Sequence, residues 1–398
     1  MKDSILVFGV GDLQKSLIER CKVKNLFVVG IDPQPEATGK DLVDAFEVVG
    51  GQDFEKTLEV AMRYQVKGVI TAATDKPLVM MARVAKELDL PFFSVETAEW
   101  STDKLLMKQK FQEAEIPCAK GLLLANLSEL DDLKFDYPVI VKPRDNSGSR
   151  GVICCKNDKE VEIAVQEALQ YTRKRNVLIE EFIEGKEYSV ESIHYQGESH
   201  VIQITEKITT AFPYNVELGH IQPADVTPDQ KVEIQELISK IAKALHFINC
   251  ASHTEIKINS KGIYVIETSP RLGGDFITSH LVPLSTGINM EEQLIDIAMG
   301  EKTIDYKAVN QASLISYFNF PVGEKIYKTV AIGEIKERFP CIVDYHFDLQ
   351  AGDEINLITN SLNRYGYFII AGTNKQTLLQ KQTEINMFLE NRLINNSN

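Results

Sequence analysis

Apolar and polar positions along the chain follow two different rhythms, and the change between them marks the architecture. Near the start, SILVFGV (residues 4–10) is a short apolar run, LQKSLIERCKVK carries helical spacing, and LFVVGID is a second apolar run. EKTLEVAMRYQV again reads as a helix, KGVITAATD as a strand and turn, and PLVMMARVAKELDL as a third helix. Strands alternating with helices predict a parallel sheet with helices packed on it. This α/β unit is placed at residues 1–100.

The rhythm changes after Trp100. Residues 102–115 predict a helix capped by Ser101 or Thr102 and ended by Ile116-Pro117. YPVIVKPRDNSGSRGVICC then reads as strand, polar glycine-containing loop, strand, which is hairpin rather than crossover chemistry. VEIAVQEALQYTRK is helical, VLIEEFI a strand, and EYSVESIHY and ESHVIQITEKI alternate as antiparallel strands do. QKVEIQELISKIAKALHF is a long amphipathic helix, after which SHTEIKIN and GIYVIETS form a hairpin around Ser260-Lys261-Gly262. This α+β unit, with a largely antiparallel sheet, is placed at 101–304. A smaller α+β unit, 305–398, carries the strands SLISYFNF, YHFDL and GYFIIAG and the final helix KQTLLQKQTEINMFLENRL.

A length of 398 residues asks for two or three domains or lobes. A net charge of −14 argues against a general nucleic-acid binder, which needs a basic face, but leaves nucleotide binding open. No apolar stretch approaches the roughly 20 residues that span a bilayer, and MKDSILVFGVG reads as a first strand rather than a signal peptide. The six cysteines contain no CxxC pair and suggest neither a zinc site nor a disulfide framework. Cys154 and Cys155 should point to opposite faces of a strand, and buried free thiols in a cytoplasmic protein are expected.

Several segments carry candidate chemistry. Gly9-Val10-Gly11 lies between a strand and a helix, with Asp32 ending the next strand where a dinucleotide fold keeps a ribose-binding acid. The third glycine is absent, so a tight structural turn is favoured. In Lys142-Pro-Arg-Asp-Asn-Ser-Gly-Ser-Arg-Gly151, the glycines let backbone amides approach phosphates and Lys142 can neutralise one. It is not a Walker loop, because a strand follows instead of GK[ST] and a helix. The segment Glu180–Glu187 can present strand-edge groups to a base and a carboxylate to a ribose, although Glu187 alone reads as a surface acid. Glu255 and Glu267 fall on facing strands of one hairpin, where two carboxylates repel unless a cation lies between them. Oxygen-only ligands suit Mg²⁺. Arg271, four residues beyond Glu267, can stabilise a transferring phosphoryl group. His253 reads as structural rather than as a metal ligand.

Taken in order, DKLLMK, VIVKPRDNSGSRGV, VLIEEFIEGKEYSVE, SHTEIK and VIETSPRLGGD resemble the ATP-grasp superfamily over about residues 1–300. The resemblance implies a Rossmann-like pre-ATP-grasp domain, a two-lobed ATP-grasp domain with a mobile lid at about 118–186, and a small C-terminal α+β lobe. It implies Mg-ATP as cofactor, with two ions and Mn²⁺ as a substitute. Lys104, Lys108 and Lys142 would contact phosphates, Ser147, Gly148, Ser149 and Gly151 would form the closing loop, Glu180, Glu181, Phe182 and Ile183 would hold adenine, and Glu187 the ribose. Glu255 and Glu267 would ligate magnesium with Ser269, which stands where many relatives carry Asn. Arg271 would bind the transferred phosphate and the acyl phosphate. ITEKITTAFPYNVELGHIQPA resembles the substrate segment of the branch that contains amino-acid ligases and relatives of the carbamoyl phosphate synthase large chain. There Lys207 and nearby Glu206 would lie near the phosphates, while Glu217, His220, Gly273 and Gly274 would face the substrate. Arg364 sits in a turn read as structural. The implied activity is an ATP-dependent carboxylate–amine ligase with small-molecule substrates, one an amino acid, and with no nucleic-acid or membrane partner. Pairing into a homodimer is compatible with the resemblance. The alternatives are a bicarbonate-activating carboxylase or carbamoyl-phosphate-type enzyme, and a catalytically degenerate ATP-binding scaffold.

Overall fold

The computed structural model describes residues 2–124, 130, 133–146, 148–301 and 309–394. Its N-terminal part runs β1 (Ser4–Phe8), α1 (Lys15–Val23), β2 (Phe27–Asp32), β3 (Ala45–Val48), α2 (Phe54–Arg63), β4 (Val66–Ile70) and α3 (Leu78–Glu87). The strands form a parallel sheet in the order β3-β2-β1-β4, as the alternation of apolar runs and amphipathic segments predicts. Strand β3 escapes that pattern because its sequence, AFEV, lies half-buried at the sheet edge and carries an acid.

Helices α4 (Val95–Thr102) and α5 (Lys104–Glu113) follow. The cap of α5 is Asp103, not Ser101 or Thr102. Those two hydroxyls donate back to the carbonyls of Thr97 and Ala98 at 2.7 and 2.8 Å, closing α4. The Asp103 carboxylate accepts from the amides of Leu105 and Leu106, which starts a new helix one residue later.

A small antiparallel sheet comprises β5 (Gly121–Leu124), β6 (Val139–Pro143), β7 (Ile153–Cys155) and, after α6 (Asp158–Leu169), β8 (Val177–Glu181), ordered β5-β8-β6-β7. Helix α6 buries Val161, Ala164, Val165 and Ala168 against it.

The large sheet begins with β9 (Lys186–Tyr195), β10 (Glu198–Thr209) and β11 (Glu217–Gln222). Helix α7 (Pro228–Leu245) precedes the hairpin β12 (Cys250–Asn259) and β13 (Gly262–Ser269), and short α8 (Val282–Thr286) and α9 (Met290–Ala298) follow it. The chain continues through β14 (Ala312–Tyr317), α10 (Ile332–Arg338), β15 (Ile342–Phe347), β16 (Gly366–Gly372) and α11 (Lys375–Leu393). The eight strands are ordered β13-β12-β9-β10-β11-β14-β16-β15. Pairing of β14 with β11 makes the C-terminal strands an extension of the central sheet. The expected division near residue 305 falls outside the described residues.

Met81, Phe111, Val190, Ile234, Ile238 and Val265 belong to one buried cluster, so the N-terminal helices share a core with the inner face of the large sheet. That shared core holds the carboxyl end of the parallel sheet against the open face of the antiparallel one. The six cysteines are free thiols. Cys118 and Cys341 are only half-buried, against the expectation of burial, whereas Cys154 and Cys155 are both buried. Among the described residues no helix is long and apolar enough to cross a membrane.

Candidate active site

The period-two alternation of β9–β12 builds the floor of the site. Register pairs Glu187 with Lys257, Ser189 with Glu255 and Glu191 with His253, so these six side chains share one face. The opposite face carries Tyr188, Val190 and Ile256 into the core. On β13, Glu267 lies directly across from Glu255. A register shift beside this pair inserts Ile266, so that both Ile266 and Glu267 line one cavity of about 520 Å³. The expected juxtaposition of the two carboxylates is present.

Each member of the pair holds a lysine. Lys104 approaches Glu267 at 2.6 Å and donates to the Asn146 carbonyl at 3.1 Å. Lys207, whose side chain is 4% exposed, lies 3.0 Å from Glu255, 3.1 Å from Glu217 and 4.0 Å from Glu187. Burial alone would lower the Lys207 pKa, but Glu255, Glu217 and Glu187 hold it well above the usual lysine value. Burial likewise works against the Glu255 carboxylate, yet Lys207 and His253 hold its pKa well below normal. His253 contacts Glu191 at 2.6 Å and Glu255 at 3.7 Å, and Glu191 outweighs burial to raise the histidine to about 9. His253 thus joins two carboxylates and braces the floor.

This donor set fits a hard divalent cation such as Mg²⁺. It offers two opposed carboxylates and no soft ligand. Among the described residues no group of three or more His, Cys, Asp or Glu side chains forms a complete cage, so further oxygens, such as those of phosphates, would fill the shell. Ser269 points elsewhere. Its hydroxyl donates to Asp75 at 2.5 Å, and it is absent from the cavity wall.

At one end of the cavity, Lys142 closes strand β6 and lies 2.7 Å from Glu180 on β8. Lys108 reaches the other oxygen of Glu180 at 3.2 Å and donates to the Ala119 carbonyl at 2.9 Å. Lys108 therefore stands behind the wall, whereas Lys104, Lys142 and Glu180 line it. Burial, with Lys108 and Lys104 nearby, lowers the Lys142 pKa despite Glu180, which marks a place where an anion is welcome. Glu181, Phe182, Ile183 and Glu187 line the same end, together with Ile140, Cys154, Phe212 and Ile266. The Glu181 amide is already bound to the Lys120 carbonyl at 2.9 Å. Glu187 is a built-in group rather than a loose surface acid, because Lys257 holds it at 3.0 Å and Asn215 donates to it at 2.9 Å.

The polar loop between β6 and β7 bends through positive φ at Gly148 (+70°), Ser149 (+56°) and Gly151 (+72°). Gly148 and Ser149 line the cavity, but Gly151 does not. A Cβ on Gly151 would stand 2.8 Å from the Tyr171 ring, so this glycine lets the loop root pack on α6. Ser149 donates to Glu217 at 3.5 Å. Ser147 lies outside the described residues.

At the other end, Arg271 is held by Asp75, at 2.8 Å from its Nε. Burial opposes the Asp75 charge, but Arg271 and the Ser269 hydroxyl depress its pKa to about 2. Asp75 lies just past β4, at the carboxyl end of the parallel sheet, and was not singled out in the sequence. Its place after an apolar run and a turn was the available signal. Gly274 lines the cavity, whereas Gly273 packs behind it, where a Cβ would meet Glu191 at 2.7 Å and His253 at 2.9 Å. His220 lies 3.2 Å from Asp275, which Arg364 grips at 2.7 and 2.8 Å while its guanidinium stacks 3.6 Å from the Tyr317 ring centroid. Arg364, in the turn that leads into β16, and Asp275 are both on the cavity wall.

A facing carboxylate pair, a convergent lysine set and a glycine loop between antiparallel strands come together around one cavity. Residues 135–279 match the ATP-grasp domain family. Over 276 residues the chain is 27% identical to alanine–anticapsin ligase of Bacillus amyloliquefaciens, a match covering 63% of this chain and 58% of that one. The chain thus spans less than two thirds of that curated relative. Among solved structures it is similar to an L-amino acid ligase from Bacillus licheniformis, with a TM-score of 0.84, 20% identity and 97% of each chain covered. It is also similar to the biotin carboxylase domain of the Hydrogenobacter thermophilus 2-oxoglutarate carboxylase, solved with MgADP, ADP and bicarbonate. There the TM-score is 0.74 at 20% identity, over 97% of this chain and 89% of that one.

Proposed function

We propose that the protein is an ADP-forming carboxylate–amine ligase that joins an amino acid to an amine through an acyl phosphate. The observation that supports this most is the opposed pair Glu255–Glu267, which shares one cavity wall with Lys104, Lys142 and Arg271. The ATP-grasp family and the similarity to two amino-acid ligases support the same reading. It takes the units 1–100, 101–304 and 305–398 as domains, a cytoplasmic location, and pairing of two copies as its natural assembly.

A carboxylate is a poor electrophile, because an incoming amine meets negative charge and the leaving group would be oxide. In the first step a carboxylate oxygen of the substrate attacks the γ-phosphorus of ATP, and the bond to the bridging oxygen breaks, leaving ADP with the electron pair. In the second, the amine nitrogen attacks the acyl carbon, the carbon–oxygen bond to phosphate breaks, and the amine loses a proton. Magnesium bound at Glu255 and Glu267 would spread the developing phosphoryl charge. Lys142 and Lys104 neutralise and orient the phosphates, and Arg271, fixed by Asp75, holds the transferred group. Glu187 takes the ribose, and the apolar wall around Phe182 and Phe212 takes the base. Lys207 keeps Glu255 ionised and positioned, Glu217 and His220 face the substrate, and the 148–151 loop keeps water from the acyl phosphate.

Similarity to a carboxylase domain solved with bicarbonate favours one second reading, activation of bicarbonate. A phosphate-release screen over pairs of amino acids, repeated with hydroxylamine, separates the two. Formation of an amino-acid hydroxamate supports the ligase. ADP release that depends on bicarbonate alone refutes it. No phosphate with any pair and no response to bicarbonate leaves an ATP-binding scaffold.

A further inference from the structure

The groups assigned to the base and to the ribose meet on one ammonium. Lys257 lies on β12 beyond Glu255, and register sets it beside Glu187 on β9. Its side chain is 10% exposed. The Nζ group donates to the Ile183 carbonyl at 3.0 Å, lies 3.0 Å from Glu187 Oε1 and stands 4.7 Å from the centroid of the Phe182 ring. Lys257, Phe182, Ile183 and Glu187 all line the cavity.

At each partner the lysine takes one polar group and leaves another open. Glu187 Oε1 receives Lys257 and, at 2.9 Å, Asn215, while Oε2 has only the Lys207 ammonium, at 4.0 Å, among the described residues. That second oxygen is open to hydroxyls. The Ile183 carbonyl is taken, whereas the Ile183 amide makes no hydrogen bond among the described residues. The segment between β8 and β9 is anchored before Ile183 by the Phe182 amide, which donates to the Pro138 carbonyl at 3.4 Å. After Ile183, Asn259 donates to the Glu184 carbonyl at 2.6 Å, and a Cβ on Gly185 would stand 2.6 Å from the Ile258 carbonyl oxygen. Between these anchors, Lys257 is the side chain that holds Ile183. A free amide beside a taken carbonyl matches a base whose ring nitrogen accepts, as N1 of adenine does. The N1–H of guanine or hypoxanthine would face that amide, and the neighbouring carbonyl already carries a cation.

We propose that Lys257 is a positioning residue that sets base and ribose selectivity together. By drawing the Ile183 carbonyl and Glu187 Oε1 onto one ammonium, it leaves an N–H for the base and a carboxylate oxygen for the ribose. This rests on the placing of the nucleotide at this end of the cavity, and it is independent of which carboxylate and amine are joined. The lysine acts through the groups it holds, by charge-assisted hydrogen bonds. Without it the Ile183 carbonyl is free to accept from a base, and the Glu187 carboxylate is free to turn toward Lys207. Discrimination between nucleotides then falls along with affinity.

The test measures binding of the magnesium salts of ADP, GDP, IDP and 2′-deoxy-ADP to the full chain by isothermal titration calorimetry, with no amino acid present. The unsubstituted protein should prefer ADP to GDP and to IDP alike by about tenfold or more, because the N1 edge rather than the 2-amino group is read, and should prefer ADP to 2′-deoxy-ADP by about tenfold. Lys257→Met should weaken ADP by roughly ten- to a hundredfold and shrink all these preferences to within about threefold, with Lys257→Arg recovering part of them. Glu187→Gln should lose the ribose preference alone. IDP bound as tightly as ADP by the unsubstituted protein overturns the proposal without any variant. So does a Lys257→Met protein that weakens every nucleotide equally, the mark of a merely structural role, or one that loses the ribose preference and keeps the base preference. If the unsubstituted protein binds no adenine nucleotide, the nucleotide reading itself fails, and the role of Lys257 falls with it. Turnover plays no part in the measurement, so failure of the ligase reading leaves the result standing.

Discussion

Replacing Lys207 with methionine removes one cation from among three carboxylates. At separations of 3.0 and 3.1 Å, the gross attraction to Glu255 and to Glu217 is about 5 kcal/mol each at an effective dielectric constant near 20. The cost of burying the ammonium offsets much of this, so the net value of the cluster is small. Removing the cation alone is different, because it leaves acids buried without a counter-charge, with His253 at 3.7 Å as the remaining basic contact of Glu255. A loss of about 3–5 kcal/mol in unfolding free energy is expected at neutral pH. The pH dependence has a definite sign. In the unsubstituted protein Glu255 is depressed well below its ordinary pKa, so its contribution is present above the unfolded pKa and is lost only as pH falls through the lower folded value. In the variant the crowded acids titrate above their unfolded values, so the penalty is full at pH 8 and shrinks as they take up protons toward pH 5. Urea denaturation of both proteins at pH 8, 7 and 5 reads this directly. A loss below about 1 kcal/mol at neutral pH, or one unchanged at pH 5, would refute the electrostatic account of the floor.

Glu267→Gln should lower amino-acid-dependent phosphate release by about a hundredfold or more at saturating Mg²⁺ while leaving the unfolding midpoint within a few degrees; unchanged turnover would remove the metal assignment. Asp75→Asn should lower kcat through Arg271. It should also erase about 2 kcal/mol of stability that the unsubstituted protein keeps above pH 4 and loses as pH falls toward the depressed value of about 2, read by denaturation across that range. Gly273→Ala places a methyl group against Glu191 and His253, and a loss of about 1–3 kcal/mol is expected by chemical denaturation; no loss would mean that the floor gives way freely.

The parallel sheet, the antiparallel strands of the middle of the chain and the Glu255–Glu267 pairing were legible because each depends on local period and turn chemistry, whereas the division of those strands between two sheets was not. YHFDL and GYFIIAG were likewise recognisable as strands, but their joining to the central sheet through β14 and β11 was not, since strand partners far apart leave no local mark. The cap at Asp103 was missed because two better-known capping residues precede it, and only the geometry shows their hydroxyls already spent. Asp75 and Asp275 stayed hidden for a related reason. Each becomes significant through an arginine 196 or 89 residues away. Lys108 carried the right charge in the right segment, yet its side chain turns to Glu180 behind the wall, a distinction between i and i+4 that helical spacing alone does not make. Ser269 is committed to Asp75 by a contact between the N-terminal part and the hairpin, which no single segment encodes.

The central claim is that ATP activates a substrate carboxylate, and the fate of one oxygen atom tests it most directly. An amino acid that supports turnover is labelled with ¹⁸O in its carboxylate, and the released phosphate is analysed by mass spectrometry. Acyl phosphate formation predicts one ¹⁸O atom in each phosphate, because the carboxylate oxygen leaves with phosphorus when the amide forms. Phosphate carrying only ordinary oxygen, with the amide still made, would contradict it.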